Sequence, residues 1–244
     1  MIHKRVLPIL FSIAALVAAM SFTVPNAPVL TINFENVVGN KPLVLDSITY
    51  KNELGQPFTI TKFKYYISNI SLTNSEGKVF PFHDTYLVNE EEPTSKKIGI
   101  DYIPSGFYTS ITFTIGVDSA GNCSGAQTGA LDPINAMYWV WNTGYIFVKM
   151  EGKSPVSKSP GNLLEFHIGG YKAPYNCIRT VTLKFTKALT IADDGYGYVT
   201  IKADAAELFK TPTAIDFSKL SSVTDFHNSI TIANNYADMF SIKE

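Results

Sequence analysis

The sequence predicts a mainly β protein: an antiparallel β-sandwich of immunoglobulin-like or jelly-roll-like type, with short helical insertions. Three observations lead to this prediction. Apolar and polar residues alternate over many short segments, which is the period of a half-buried strand. Gly, Pro and Asn residues suited to turns separate these segments. Nothing in the sequence resembles the regular alternation of strands and helices that marks a parallel sheet.

Segments with the strand pattern are spread along the chain from residue 30 onward. They are 30–34, 66–72, 85–88, 111–115, 145–150, 163–168, 181–189 and 198–203. In one of them Ile111, Phe113 and Ile115 share a face, and the threonines between them occupy the other face. No linker-like change of composition divides residues 28–244, so we expect them to form one domain.

Two amphipathic helices and one helical turn are predicted between or after the strands. Asp132 is a good N-cap and Pro133 suits the first helical position. The residues that then share one helical face are Ile134, Met137, Tyr138 and Trp141. Near the C-terminus the same spacing joins Ile232, Tyr236, Met239 and Phe240, and residues 205–210 suit a single turn.

Residues 1–21 have the pattern of a signal peptide. A basic start precedes an apolar run from Val6 to Met20 that is short for a membrane span. Ala19-Met20-Ser21 offers a cleavage site before Phe22. The alternative is an uncleaved anchor or a buried helix. The signal peptide predicts a periplasmic or secreted protein, with no membrane span after cleavage.

Composition and motifs exclude several classes of function. The net charge of -1 argues against a nucleic-acid binder. The motifs of phosphate-binding loops, zinc proteases and serine hydrolases do not occur, so we expect no enzymatic activity. Cys123 and Cys177 are the two cysteines. Export would oxidise them to a disulfide, and two free buried thiols are the alternative.

Three histidines and one aromatic segment could carry chemistry. His83, His167 and His227 are possible metal ligands, although a single histidine is more often a surface or hydrogen-bonded residue. His167 precedes Ile168-Gly169-Gly170, where the glycines would leave room beside its ring. The segment 137–145 contains both tryptophans, Trp139 and Trp141. On composition alone this segment is a core plug.

The chain resembles the MbnP-type copper-binding family, periplasmic proteins named for their link to methanobactin operons. Several motifs occur in the family's order, and together they are specific although each alone is weak. They are the segments 63–70, 86–88, 103–108, 113–119, 125–133, 137–145, 149–152, 166–170 and 232–240. The resemblance covers almost the whole chain after the predicted signal peptide.

The resemblance implies a copper-binding protein that handles or stores copper in the bacterial envelope without catalytic turnover. It also implies a partner similar to di-haem cytochrome c peroxidases, which oxidises a tryptophan of the binder to kynurenine. Trp139 and Trp141 are the candidates for this modification. A helix would bury Trp141 and leave Trp139 the more exposed, whereas a strand would remove that preference.

By the same resemblance His167 is the first candidate copper ligand. His227 is its expected companion and His83 the reserve, with Met137 and Met150 as possible soft ligands. The alternative function is a cell-surface β-sandwich module that binds a glycan or a protein. In that case the Trp/Tyr segment is a stacking platform and the histidines are incidental.

Overall fold

Two β-sheets pack face to face and confirm the predicted β-sandwich. The computed structural model describes residues 28–243 except 126, 140–143 and 194. The predicted signal peptide, residues 1–21, lies outside the described residues. Strands are numbered here in chain order. The smaller sheet consists of β1 (Val29–Val38), β2 (Lys41–Pro42), β6 (Lys97–Asp101), β12 (Tyr196–Asp204) and β14 (Phe240–Ile242).

The larger sheet has nine described strands and is built around one long strand, β4. Its members are β3 (Tyr50–Lys51), β4 (Pro57–Asn74), β5 (Val79–Asn89), β7 (Gly106–Ile115), β8 (Tyr138–Trp139), β9 (Gly144–Lys153), β10 (Leu163–Gly169), β11 (Arg179–Ile191) and β13 (Ser222–Val223). Strand β4 pairs with β9 along its first half and with β5 and β7 along its second half. The change of partner lies near Asn69, whose φ of 49° interrupts the ladder.

The order of strands in the two sheets places two edge strands, β11 and β14, next to each other on one side of the sandwich. In the larger sheet the order is β11-β7-β4-β9-β10-β13, and in the smaller sheet it is β14-β12-β1-β2, with β6 also paired to β1. Most strand pairs are antiparallel, as predicted. The exceptions are β1 with β12 and β10 with β13, which run parallel. Strands β11 and β14 are the edges that lie next to each other.

Aromatic side chains from both sheets fill the space between them. Phe34 of the smaller sheet contacts Tyr65 and Phe113 of the larger sheet, with ring centroids 6.0 and 6.3 Å apart. Phe240 approaches Phe113 edge-on at 5.0 Å. Such edge-to-face packing is favourable beyond the area it buries. The alternation of β1 produces this core directly, because every second residue of the strand is buried.

The remaining described elements are short. There are two α-helices, α1 (Ser119–Cys123) and α2 (Phe226–Tyr236). Five 3₁₀ turns cover Pro93–Lys96, Gly129–Leu131, Pro133–Asn135, Pro160–Asn162 and Ala205–Phe209. The last confirms the predicted turn at 205–210. The predicted C-terminal helix is α2, but it ends before Met239 and Phe240, and Phe240 begins β14.

The helix predicted after Asp132 is wrong beyond its first turn. Asp132 does cap the segment, because its Oδ1 accepts a hydrogen bond from the Ile134 amide at 2.9 Å. The turn ends at Ala136, whose φ of 55° is left-handed and stops helical propagation. Ile134, expected on the buried face, is 86% exposed. The chain then continues as the short strand β8.

Candidate functional site

The aromatic segment forms a hairpin-like pair of strands, β8 and β9, at the end of the larger sheet. Tyr138 pairs with Tyr145, and Trp139 pairs with Gly144. Met137 and Tyr145 are buried, and Trp139 is only 5% exposed. Trp141 lies outside the described residues. Trp139 is therefore not the exposed member that a helix would have made it, because the segment is extended.

Hydrogen bonds from buried tyrosines hold the loop that leads into this segment. The Tyr66 hydroxyl donates to the Ala130 carbonyl at 2.9 Å, and the Tyr145 hydroxyl donates to the Leu131 carbonyl at 2.8 Å. Burial raises the pKa of Tyr66 and Tyr145, so both phenols keep their protons. These contacts fix the family-like segment 125–133 over the larger sheet, and with it the position of the tryptophan that follows.

Gly169 and Gly170 provide the space into which Trp139 and its neighbours fit. A Cβ at Gly169 would lie 2.7 Å from Cζ3 of Trp139 and 2.5 Å from the Tyr145 carbonyl oxygen. Gly170 has a φ of 121°, and a Cβ there would lie 2.4 Å from the Tyr175 carbonyl oxygen. These glycines were expected to leave room beside the His167 ring, but the space at Gly169 is occupied by the Trp139 indole.

His167 lies on β10, two residues before Gly169, and forms a hydrogen-bonded pair with Glu151 of the neighbouring strand β9. His167 Nε2 is 2.9 Å from Glu151 Oε1, and the His167 side chain is 17% exposed. Lys62 Nζ is 3.2 Å from the other Glu151 oxygen. Lys149 Nζ is 4.0 Å from Glu151 Oε1 and donates to the Ala136 carbonyl. This cluster, the Glu151 cluster, joins β4, β9 and β10 to the loop before Trp139.

Electrostatics in the Glu151 cluster favour the ionised carboxylate. The hydrogen bond from His167, with the smaller contribution of Lys62, lowers the pKa of Glu151 from 4.5 to about 2. Burial lowers the pKa of Lys149, an effect partly opposed by Glu151. The ionised Glu151 therefore accepts a hydrogen bond from His167 Nε2. In the neutral tautomer that carries its proton on Nε2, Nδ1 is the ring nitrogen with a lone pair for a metal ion.

The other two histidines lie elsewhere. His227 is exposed in the first turn of α2, and its ring is 6.0 Å from that of Tyr175. His83 is exposed on β5. Among the described residues no group of three or more His, Cys, Asp or Glu side chains could hold a metal ion. The three histidines therefore form no shared site there. His167 lies two residues before Gly169, against which Trp139 packs, and His227 directly follows Phe226, whose ring lies 5.5 Å from that of Trp139.

Comparisons with known proteins decide the family. The MbnP family model matches residues 27–231. The chain belongs to the MbnP family. Among solved structures, MbnP from Methylosinus trichosporium is similar in fold, with a TM-score of 0.56 and 14% sequence identity over 88% of this chain and 97% of that one. The comparison with curated proteins finds no match.

Family membership confirms the resemblance drawn from the motifs. The motif at 149–152 contains Lys149 and Glu151, and the motif at 166–170 contains His167. The two motifs lie on the paired strands β9 and β10. Sequence reasoning singled out His167 but not Glu151, Lys149 or Lys62. The alternation within β9 puts Lys149 and Glu151 on one face, and this was the signal available. What the sequence could not give was the register that sets Lys149 opposite His167.

The structure differs from the predicted disulfide, because both cysteines are free thiols. Cys123 is exposed at the end of α1, with its Sγ 3.5 Å from the Tyr171 hydroxyl. Cys177 is buried, and its Sγ faces the Tyr175 carbonyl oxygen at 3.7 Å. Burial raises the pKa of Cys177 to about 12. The two sulfur atoms are thus turned towards different partners.

The structure also bears on the predicted stacking platform and on the search for membrane-spanning segments. Met137, Trp139 and Tyr145 are buried, so these described members of the aromatic segment are core residues and offer no stacking platform. Within the described residues no helix is both long and apolar enough to cross a membrane.

Proposed function

We propose that this MbnP-family protein binds copper in the bacterial envelope, for handling or storage and without catalytic turnover. The observation that carries the proposal is the Glu151–His167 pair, in which His167 lies two residues before the glycine that packs against Trp139. Metal-binding histidines commonly donate their second ring nitrogen to a carboxylate, which orients the ring and makes it a better donor. Glu151 is placed to do this for His167 at 2.9 Å.

The chemistry of the surrounding residues fits a soft, nitrogen-favouring metal ion. Imidazole suits copper, which it binds through the lone pair of a neutral ring nitrogen. Within the described residues His167 is not joined by two further His, Cys, Asp or Glu side chains. Met137 and a modified tryptophan remain the candidates for additional donors, with His227 as the proposed second imidazole. Met150 is no longer one, because it lies between Lys149 and Glu151 on β9 and is buried on the opposite face of the strand.

We also propose that Trp139 or Trp141 is oxidised to kynurenine by a partner similar to di-haem cytochrome c peroxidases. Kynurenine carries an aryl amine and a ketone, which are donor groups that indole lacks. Trp139 packs against Gly169, which lies two residues after His167. Because its ring is only 5% exposed, a partner would have to remove electrons from the indole over a distance rather than by direct contact. The proposed location is the periplasm or the extracellular space.

Metal analysis of protein co-produced with its peroxidase partner tests the copper proposal. Wild type is expected to retain a constant molar ratio of copper to protein, and His167→Ala is expected to lose most of its copper. His83→Ala is the matched control, because it removes an exposed imidazole on β5. Thermal unfolding of each variant checks that the fold is intact. Full copper content in folded His167→Ala would contradict the proposed ligand.

Peptide mass spectrometry on the same material tests the modification. We expect kynurenine at one of the two tryptophans in wild type and its absence when the peroxidase is omitted. Trp139→Phe separates the candidates: loss of all kynurenine assigns residue 139, and retention assigns residue 141. Two unmodified tryptophans in protein made with its partner would contradict the proposal and leave a site built from His167 alone.

A further inference from the structure

A row of exposed tyrosines lies on the outer face of the smaller sheet, away from the Glu151 cluster. Tyr196 and Tyr198 of β12 are 57% and 69% exposed. They are two residues apart on one strand, so both rings project from the same face, about 7 Å apart at the backbone. Large aromatic rings are usually at least partly buried, so two exposed rings on one face indicate a surface that contacts another molecule.

A third exposed tyrosine, Tyr102, lies near this row, just after the end of β6. Asp101, Val29 and Tyr196 are aligned on three adjacent strands, which places Asp101 about 10 Å from Tyr196. Tyr102 follows Asp101 and is 81% exposed. Its φ of 59° is unfavourable for a bulky side chain, and the exposed ring gains nothing from packing in return. Tyr102, Tyr196 and Tyr198 are called the tyrosine platform below.

The surface between these rings is open. Tyr198 is paired with Thr31, which is in turn paired with Gly99. A Cβ added at Gly99 would meet no atom within 4 Å. The sheet surface is therefore low at Gly99, in the middle of β6. A flat ligand can approach the backbone there and still contact Tyr198, two strands away, and Tyr102, just after the end of β6.

A groove continues from Tyr198 to the edge of the sandwich. It has a volume of about 600 Å³ and lies between the edge strands β11 and β14. The ladder of β11 with β7 shifts between Lys184 and Leu189, so residues 185–188 bulge at its rim. Three threonines, Thr186, Thr190 and Thr200, line the groove, together with Phe185 and Tyr198.

The charge of the groove is positive among its described residues. Lys187 and Lys243 line it, and none of the other described lining residues is an Asp or a Glu. Lys243 is paired with Glu35, at 2.7 Å to one oxygen and 2.8 Å to the other. Lys187 has no salt bridge within the described part of the chain. The groove therefore offers an ammonium group to an anionic ligand.

We infer that the tyrosine platform and this groove bind an acidic oligosaccharide, a chain of sugars that carry carboxylates. The C–H faces of sugar rings are apolar and stack on aromatic rings, whose hydroxyls can still hydrogen-bond at their edges. Tyrosine provides such contact area with little loss of side-chain entropy. The threonine hydroxyls match sugar hydroxyls, and Lys187 matches a carboxylate.

A protein partner is the other class of ligand that an open sheet edge admits. An extended peptide could add a strand to β11 or β14 through backbone hydrogen bonds. That mode needs no aromatic row on the outer face of β12, and it leaves the exposure of Tyr102 and Tyr196 unexplained. The oligosaccharide accounts for the platform and the groove together.

Calorimetric titration of the full protein with a hexamer of β-linked uronic acid tests this inference. Wild type is expected to bind it more tightly than a hexamer of β-linked glucose. Tyr198→Ala is expected to weaken binding about tenfold, as loss of one stacked ring does elsewhere. Lys187→Ala is expected to remove the preference for the acidic hexamer. Leu54→Ala is the control, because it removes a 50% exposed apolar side chain from a distant turn.

The outcomes separate the alternatives. Failure of both hexamers to bind, or binding unchanged by Tyr198→Ala, would overturn the inference. Preference for the glucose hexamer would overturn the acidic assignment. Binding of an extended acidic hexapeptide in place of the sugars would assign the groove to a protein partner. Copper content should be unchanged in Tyr198→Ala, so this test and that of the proposed copper site fail independently.

Discussion

Aromatic side chains occupy two regions of this protein in opposite ways. Around Trp139 they are buried, and glycines supply the space that the rings fill. On the outer face of the smaller sheet, tyrosines stand exposed above an open glycine. Both regions combine an aromatic residue with a glycine of the same sheet, with one strand between them. The difference lies in whether other parts of the chain cover the ring. Phe226 of α2 packs against Trp139 with ring centroids 5.5 Å apart, whereas Tyr198 is 69% exposed.

The contrast shows how the same residue types can serve either structure or recognition. Gly169 is required because Trp139 already occupies the position that a Cβ would take. Gly99 has no such neighbour and leaves a surface for a molecule from outside. Burial in the first region favours chemistry that needs protection from solvent. Exposure in the second favours reversible contact.

The largest expected effect is that of adding a methyl group at Gly169. In Gly169→Ala the new Cβ would meet Trp139 Cζ3 at 2.7 Å and the Tyr145 carbonyl at 2.5 Å. Because the second contact is with backbone, the strands must shift, and such overpacking costs about 1–3 kcal/mol. Thermal unfolding should show a midpoint lowered by about 2–4 °C for each kcal/mol.

Gly99→Ala is the matched control for this comparison. Its Cβ would meet no atom within 4 Å, so the free energy of unfolding should change by no more than about 0.5 kcal/mol. Equal destabilisation by the two substitutions would show that the two glycines do not differ as described.

A smaller effect is expected when the charge of Glu151 is removed. Its pKa is about 2 in the folded protein, below the usual 4.5, so the ionised carboxylate stabilises the fold. This stabilisation is fully present above about pH 4.5 and is lost as the pH falls towards 2. Urea unfolding of wild type and Glu151→Gln should therefore differ most at neutral pH, and the difference should close in acid.

Glu76→Gln provides the comparison for Glu151→Gln. Glu76 is exposed in the turn between β4 and β5 and makes no salt bridge within the described residues. Its substitution should leave the pH dependence of stability as in wild type. A constant difference between wild type and Glu151→Gln from pH 7 to pH 2 would argue against a charge effect at the Glu151 cluster.

The smallest expected effect concerns the two cysteines, whose reactivity with a thiol-labelling reagent should differ. In native, unreduced protein Cys123 should be alkylated readily because it is exposed. Cys177 should react only on unfolding, because burial hides it and raises its pKa to about 12. Mass spectrometry of the labelled peptides measures both. Protection of both thiols until a reductant is added would restore the disulfide predicted from the sequence.

The strands of the fold could be predicted because local alternation determines them. The apolar residues of 111–115 and 198–203 are buried on one face as expected. The helix after Asp132 could not be excluded in the same way. Its capping residues and apolar spacing both favour a helix, and only the left-handed backbone at Ala136 ends it. Lys149 contacts the Ala136 carbonyl, so this conformation depends on a residue distant in sequence.

The candidate site was predictable only in part, for a related reason. His167 could be identified from its place beside two glycines. Its contact with Glu151 depends on the register of β10 against β9, which the two segments do not reveal separately. The tyrosine platform was not predicted, because the segment that forms β12 was interpreted only through its buried apolar residues, Val199 and Ile201.

The parallel pairing of β1 with β12 has a consequence for how the protein folds. Strand β1 is central in the smaller sheet, yet the partner beside it is separated by more than half of the chain. Closing so long a loop costs entropy before any contact repays it. The smaller sheet should therefore form late, on a timescale of roughly milliseconds to seconds. Until β12 arrives, that flank of β1 has unsatisfied backbone groups, and the nascent chain is most prone to aggregate through this strand.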